Sequence, residues 1–329
     1  MFAPDAEPTP RLARFALWTL IANVLVVLWG AVVRATGAGA GCGSHWPLCN
    51  GQVVPRSPTI ATLVELTHRV TSGVALLLVM ILAVWCFRAL PRRHPGRRAA
   101  ATAAVLMVVE AGIGAGLVLF SLVGRDASVG RAAYMGLHLA VTFLLLAALA
   151  LTAWWATGAP PVRLAGRATV FLAVGAAGLL LVGASGAVAA LGDTLFPAGS
   201  LAAGMRQDVT PGAHFLLRLR VVHPLLATTV GAYLLLLPQL VGAARRSRIA
   251  RRLGSAMSLL ALAQVALGAV NLGLLAPVGL QLLHLLLADA VWVALVLFAA
   301  AVLADARPVT VAAAVRTEMA ERAAALPRR

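Results

Sequence analysis

The chain has 329 residues, of which 61% are hydrophobic and only 12% are charged, and its mean hydropathy is +0.93. A soluble domain could not keep so apolar a surface dispersed in water, so the composition excludes that class and predicts an integral membrane protein. The formal net charge of +16 does not indicate a nucleic-acid partner, because the arginines stand in short clusters between apolar runs instead of on one basic face.

Eight apolar runs are long enough to cross a hydrocarbon core, which takes about 20 helical residues. They lie at 15–34, 64–90, 99–121, 133–156, 168–191, 214–240, 253–275 and 279–304. The predicted fold class is therefore all-α integral membrane, with eight transmembrane helices. Arginines follow the second, fourth and sixth runs, so the positive-inside rule predicts a multi-pass protein of the cell membrane with both termini cytoplasmic. The first run lacks a small-residue cleavage site and is interpreted as an uncleaved signal anchor.

The second half of the sequence repeats the first. His68 and His223 are 155 residues apart, His138 and His284 are 146 apart, and the surroundings of each pair are alike. Four spans return the chain to its starting side, so two pseudo-symmetric four-helix bundles in the same orientation follow. We predict an N-terminal half and a C-terminal half flanked by two cytoplasmic tails. The respective boundaries are 15–160, 161–308, 1–14 and 309–329.

The first outer loop contains Cys42 and Cys49, with Gly, Pro and Asn-Gly turn residues between and beside them. On the oxidising side of a membrane, two cysteines at this spacing predict a disulfide that closes a small loop. Two roles are open for this pair: a structural clasp, or a redox-active disulfide that passes electrons.

Four of the seven histidines lie in the first turns of the even-numbered spans, at similar depth toward the outer surface. They are His68, His138, His223 and His284. Two facing imidazoles in each half can supply the two axial bonds of a six-coordinate heme, whose flat apolar macrocycle fits between helices. The pattern therefore predicts two hemes. Zinc is less well matched, because each half offers two histidines without the further ligands that complete a tetrahedron.

The halves differ three positions before the first of these histidines, where the first half has Glu65 and the second has Arg220. An enclosed carboxylate beside one heme predicts chemistry at that site and electron transfer at the other. Two further acids lie within the spans. Glu110, whose repeat counterpart is Gln264, is interpreted as a packed polar group rather than a proton-path residue, and Asp289 is given no ligand-orienting role.

Arginines near the outer helix ends are candidates to pair with heme propionates through forked hydrogen bonds. They are Arg34, Arg69, Arg218 and Arg220. Interfacial anchoring is the alternative for each of them. We favour propionate pairing for Arg69, because it adjoins a predicted ligand.

Together these residues resemble the heme A synthase family, membrane oxidases that convert heme o to heme a for terminal oxidases. The resemblance is carried by the motifs at 30–39 (GAVVRATGAG), 46–51 (WPLCNG) and 65–69 (ELTHR), together with the histidines in eight spans. It covers nearly the whole chain, and the combination is specific although no single motif is.

The resemblance implies that His223 and His284 ligate a resident heme b, that His68 and His138 hold the substrate heme o or product heme a, and that Glu65 is the essential acid. The implied reaction oxidises the C8 methyl group of heme o to a formyl group, with water as a source of oxygen. Heme o synthase, an unidentified electron acceptor and a second copy of the chain are the candidate partners.

The alternative function is a quinone-linked diheme b-type cytochrome, and a third class is a transporter with histidines on a proton pathway. Transfer across the membrane favours hemes near opposite faces, whereas these four histidines lie toward one face. The transporter predicts a protein without heme absorption.

Overall fold

The structure, a computed structural model, describes residues 9–243 and 247–304. Within these ranges it contains nine α-helices and a short 3-10 helix at Ala38–Ala40. The α-helices are α1 (Pro10–Ala35), α2 (Ile60–Ala89), α3 (Pro95–Leu119), α4 (Val129–Ala156), α5 (Gly166–Leu195), α6 (Leu201–Val209), α7 (Phe215–Leu240), α8 (Arg248–Gly273) and α9 (Val278–Ala304).

In the described part of the chain, eight of these helices are long and apolar enough to cross a membrane, which confirms the predicted all-α fold with eight spans. The short helix α6 is additional to the prediction, because hydropathy identifies only runs long enough to span. It lies in the connection between α5 and α7 and is capped by Ser200, whose hydroxyl accepts a hydrogen bond from the N–H of Ala203.

Some helices begin before the predicted apolar runs. The first starts at Pro10 and not at 15, and the third starts at Pro95 and not at 99. Helix ends are set by capping groups, which hydropathy does not register. Here Nδ1 of His94 accepts a hydrogen bond from the N–H of Gly96, and proline occupies the first helical position, where a missing N–H costs nothing.

The two predicted tails fall largely outside the described residues. Positions 1–8 and 305–329 are not described, and the rest of the predicted N-terminal tail belongs to α1. The proposed boundary between the halves, at 160, falls between α4 and α5 and stays a prediction.

The eight long helices contact each other as two rings of four. In the first half, α1 contacts α2, α2 contacts α3, α3 contacts α4, and α4 contacts α1. In the second half, α5 contacts α7, α7 contacts α8, α8 contacts α9, and α9 contacts α5. The rings meet where α1 and α4 pack against α5 and α9. This pattern agrees with the two four-helix bundles that the repeat predicts.

The core of the protein lies at the junction of the two rings. Half of the most apolar segment of α4 and of α9 is buried, against 17% for α5, α7 and α8. Phe143 of α4 stacks on Trp292 of α9 with ring centroids 5.3 Å apart, and the indole N–H donates to the carbonyl of Phe143. Such a stacked pair adds about 0.5–1.5 kcal/mol to the free energy of burial.

Candidate functional site

The four predicted ligands occupy corresponding places near one end of the helices. His68, His138, His223 and His284 fall within the first ten residues of α2, α4, α7 and α9, respectively. At about 1.5 Å of rise per residue, all four lie within about 15 Å of the start of their helices. The four histidines therefore lie at similar distances from the starts of their helices.

In the second half, the structure brings the two histidines together. The ring centroids of His223 and His284 are 6.4 Å apart and the rings are perpendicular. Two imidazole nitrogens that bond one metal ion at about 2 Å each lie about 4 Å apart, and each ring centre stands a little further out. The observed separation would fit two side chains that hold one metal ion between them.

In the first half, His68 of α2 and His138 of α4 belong to the same ring of four helices. Nδ1 of His68 is buried without a hydrogen-bond partner among the described residues, as is Nδ1 of His284 in the second half. A buried polar atom without a partner costs about 1–3 kcal/mol. Among the described residues, His68 and His284 each therefore keep one unsatisfied ring nitrogen.

The remaining imidazole contacts come from the preceding helices. Nδ1 of His223 lies 3.2 Å from the hydroxyl oxygen of Ser185 in α5. Nε2 of His284 lies 3.2 Å from the amide nitrogen of Gln264 in α8. Neighbouring polar groups of this kind fix the tautomer and orientation of a ligand histidine.

Glu110 lies beside a predicted ligand, a contact that is absent from the sequence-based interpretation. Its Oε1 is 2.7 Å from Nδ1 of His138 and also accepts a short hydrogen bond from the hydroxyl of Thr142. The carboxylate and the imidazole thus form a close polar pair. The sequence shows only that Glu110 and Gln264 occupy corresponding positions of the repeat. The structure shows that each lies next to a histidine of the following span.

Glu65 is 3% exposed, and both of its carboxylate oxygens have donors. Oε2 accepts from the N–H of Cys42 at 2.8 Å, and Oε1 accepts from Nε and Nη2 of Arg69 at 3.1 and 2.5 Å. Glu65 and His68 share one turn of α2, as predicted. The carboxylate is therefore a buried, fixed group beside the first-half pair.

Arg69 also holds the outer loop. Its Nη1 donates to the carbonyls of His45 and Leu48, each at 2.7 Å. The predicted disulfide between Cys42 and Cys49 closes this loop. Arg69, for which the sequence predicts a propionate contact, thus ties the disulfide loop to the carboxylate of Glu65.

Arg34 reaches from the first half into the second. Its Nη1 donates to the carbonyl of Ala190 at 2.8 Å and to the hydroxyl of Thr194 at 2.7 Å, and its Nη2 donates to Oε1 of Gln281 at 2.7 Å. The propionate contact predicted for Arg34 from its position stays a prediction. In the structure its guanidinium joins α1 to α5 and α9. Arg218, another of the arginines predicted to contact propionates, is exposed.

Arg220, the repeat counterpart of Glu65, forms an ion-pair cluster of its own. It donates to Asp208 from Nε and Nη2 at 3.0 and 2.6 Å, and to Asp193 from Nη1 at 3.0 Å. Both halves therefore have an ion pair one turn before their first histidine, with the positions of acid and base exchanged. Neither aspartate is a sequence-predicted site residue, because one belongs to α6 and the other to the end of α5.

Comparisons with known proteins show the family of this chain. The family COX15-CtaA, described as Cytochrome oxidase assembly protein, matches residues 13–296. The chain is 52% identical over 295 residues to a protein of Thermus thermophilus named Protoheme IX farnesyltransferase, a match that covers 89% of this chain and 48% of that protein. The chain thus spans about half the length of these Thermus relatives.

Shorter matches link the chain to proteins named Heme A synthase. One from Alkalihalophilus pseudofirmus is 35% identical over 141 residues, which cover 43% of this chain and 45% of that protein. One from Geobacillus kaustophilus is 42% identical over 106 residues, which cover 32% of this chain and 33% of that protein.

Proposed function

Because the chain belongs to the COX15-CtaA family of cytochrome oxidase assembly proteins, we propose that it is a heme A synthase, which oxidises the C8 methyl group of heme o to a formyl group. The observation that carries the proposal is the arrangement of four histidines as one pair in each four-helix ring, with the buried carboxylate of Glu65 one turn before His68, where the second half has Arg220. Relatives named Heme A synthase support the same substrate and product.

We assign heme b to the second-half pair. His223 and His284 would hold it, and their ring centroids, 6.4 Å apart, support this assignment. A b-type heme supplies one-electron redox chemistry at this position. At the turn where the first half has Glu65, this half has Arg220, which pairs with Asp193 and Asp208. We therefore assign electron transfer to this half.

We assign heme o to the first-half pair, with His68 and His138 as the side chains that hold it. Glu65 is the catalytic group in this proposal. Because Arg69 and the N–H of Cys42 fix both carboxylate oxygens, the side chain is preorganised as a negative charge in a site of low polarity. Such a charge stabilises positive charge that develops at the methyl carbon, without any rearrangement of the protein.

The name of the Thermus relatives raises prenyl transfer as a second activity. We do not assign it to this chain, because the match covers less than half of those proteins and the chain has only 11 acidic residues and no aspartate-rich diphosphate motif. Their greater length instead supports a heme o synthase as the partner that supplies the substrate. The acceptor for the electrons would be a separate molecule.

The test is to purify the full chain from membranes that contain heme o and to identify its bound hemes. We expect a visible heme spectrum, extraction of heme b together with heme o or heme a, and formation of heme a from added heme o. Heme b alone, without conversion of heme o, would favour the diheme cytochrome. A colourless protein would favour the transporter, and conversion of heme b with farnesyl diphosphate would assign prenyl transfer to this chain.

A further inference from the structure

Each of the four histidines lies against a glycine of the preceding long helix. The contacts are Gly30 with His68, Gly114 with His138, Gly186 with His223, and Gly268 with His284. A Cβ atom placed on three of these glycines would meet the imidazole too closely. The distance to Cε1 would be 2.9 Å at Gly30 and at Gly186, and 3.1 Å at Gly268.

We infer that Gly30, Gly186 and Gly268 are positioning residues, and that the lack of a side chain at each sets where the imidazole of the next helix stands. The inference rests on the proposed function, because it concerns the ligands of the two proposed hemes. According to this inference, the helix before each of these histidines helps to position the ligand.

Close packing of helices is the ordinary reason for glycine in a membrane protein, and the contacts argue against it here. At Gly30 and at Gly186, the three atoms nearest to an added Cβ all belong to the imidazole ring. Gly41 shows the opposite case, because its Cβ would lie 2.4 Å from the backbone carbonyl carbon of Ala61. A ring at the end of a side chain can rotate away, whereas a backbone cannot. An added methyl group at Gly30 therefore displaces the ring and leaves the helices in place.

The two halves supply independent examples. Gly30 and Gly186 are 156 residues apart, close to the 155 that separate His68 and His223. The acid and base one turn before these histidines are exchanged between the halves, but the glycine opposite the ring is present in both. The contact thus accompanies the imidazole and not its charged neighbours.

His138 is held differently. An added Cβ at Gly114 would lie 3.9 Å from Nε2, which is an ordinary van der Waals contact. Glu110 instead approaches this ring at 2.7 Å from the same helix. Three imidazoles are thus placed by the shape of the neighbouring helix and the fourth by a carboxylate.

The test uses Gly30→Ala, Gly186→Ala and Gly268→Ala in the full chain, with Gly73→Ala and Gly279→Ala as controls. No atom lies within 4 Å of an added Cβ at either control position, and alanine is the better helix former. The measurements are the amounts of heme o plus heme a and of heme b per protein, the electron paramagnetic resonance signal of low-spin iron, and the melting temperature.

We expect each substitution to affect only the heme of its own half. Gly30→Ala should lower bound heme o and heme a at least tenfold and leave heme b in place, whereas Gly186→Ala and Gly268→Ala should lower heme b or convert it to high-spin iron. Melting temperatures of the heme-free proteins and all signals of the controls should match the wild type. Wild-type heme content and unchanged low-spin signals in all three variants would overturn the inference and leave the proposed function intact. A wild-type protein that binds no heme would overturn both.

If Gly30→Ala does not fold, the double variant Gly30→Ala with His68→Ala decides the question. Removal of the ring removes the predicted clash, so we expect the double variant to fold as well as His68→Ala alone. A double variant that also fails to fold would show that the added methyl group meets the backbone, which contradicts the inference.

Discussion

Arg34 donates a hydrogen bond to the carbonyl oxygen of Ala190, 2.8 Å away. Ala190 is 156 residues later in the chain and is the repeat counterpart of Arg34. The repeat-related helices α1 and α5 therefore meet at equivalent points. The same guanidinium donates to Gln281, three residues before His284. A residue of the first half thus supports the turn of α9 that precedes a predicted ligand in the second half.

Replacement of Arg34 by alanine should weaken the contact between the halves and disturb the second-half site. Three acceptors lose a charged donor in a partly buried place, so we expect a loss of about 2–4 kcal/mol in the free energy of unfolding. The low-spin signal of heme b should change, although the substitution lies in the first half. Arg34→Lys is the control, and it should recover only part of the loss because an ammonium group cannot reproduce the forked contacts. An unaltered heme b signal in Arg34→Ala would contradict the coupling.

Replacement of Glu65 by glutamine should stop formyl formation and leave both hemes bound. The amide keeps the shape of the side chain but removes the fixed charge, so we expect the rate of heme a formation to fall by about 10²–10³. Chromatography of extracted hemes measures the product. Glu65→Ala should be equally inactive and also less stable, because Arg69 and the N–H of Cys42 lose their acceptor. Full activity in Glu65→Gln would refute the assignment of this residue.

Replacement of both Cys42 and Cys49 by serine separates the two roles that the sequence leaves open. A structural clasp predicts partial activity and a loss of up to about 2 kcal/mol in the free energy of unfolding, because the closed loop is short. A redox-active disulfide predicts complete loss of heme a formation in a protein that folds normally. We expect the first result, because Arg69 already holds the same loop through the carbonyls of His45 and Leu48. Heme a yield and thermal unfolding, measured on the same preparation, distinguish them.

Replacement of Glu110 by glutamine should weaken heme binding in the first half only. Loss of a carboxylate next to a ligand histidine typically costs about 10–100-fold in affinity, so we expect a decrease of that size for heme o. Heme b content serves as the internal control, because its ligands lie in the other ring. Equal loss of both hemes would indicate general destabilisation and would count against a specific contact with His138.

Stability should depend on pH through His94. Burial lowers the pKa of this imidazole, and its neutral Nδ1 accepts the hydrogen bond that caps α3. The unfolded chain then takes up a proton before the folded chain does, so this contribution is complete above the ordinary histidine pKa of about 6.5 and decreases as the pH falls below it. His94→Asn retains a capping oxygen and should flatten this part of the curve. Unfolding curves between about pH 5 and pH 8 test this, and an identical pH profile in His94→Asn would exclude His94 as the cause.

The positions of the spans could be predicted because lipid requires long apolar helices, and the depth of the histidines followed from their places in those helices. The partners of individual side chains could not. A helix that is apolar on every side has little preference for one rotation about its axis, so the sequence does not tell which face meets which neighbour. This is why the sequence does not connect Glu110 with His138, or Asp193 and Asp208 with Arg220. Contacts within one turn, such as the ion pair of Glu65 with Arg69, can be predicted from their spacing of four residues.

The stacking of Phe143 on Trp292 makes the duplicated halves interdependent. The most buried part of the protein lies where the two repeats contact each other, so neither repeat has a complete hydrophobic core by itself. A chain severed between them would present an aromatic face to lipid on each fragment. The half that would carry out oxidation and the half that would carry electrons therefore share one core.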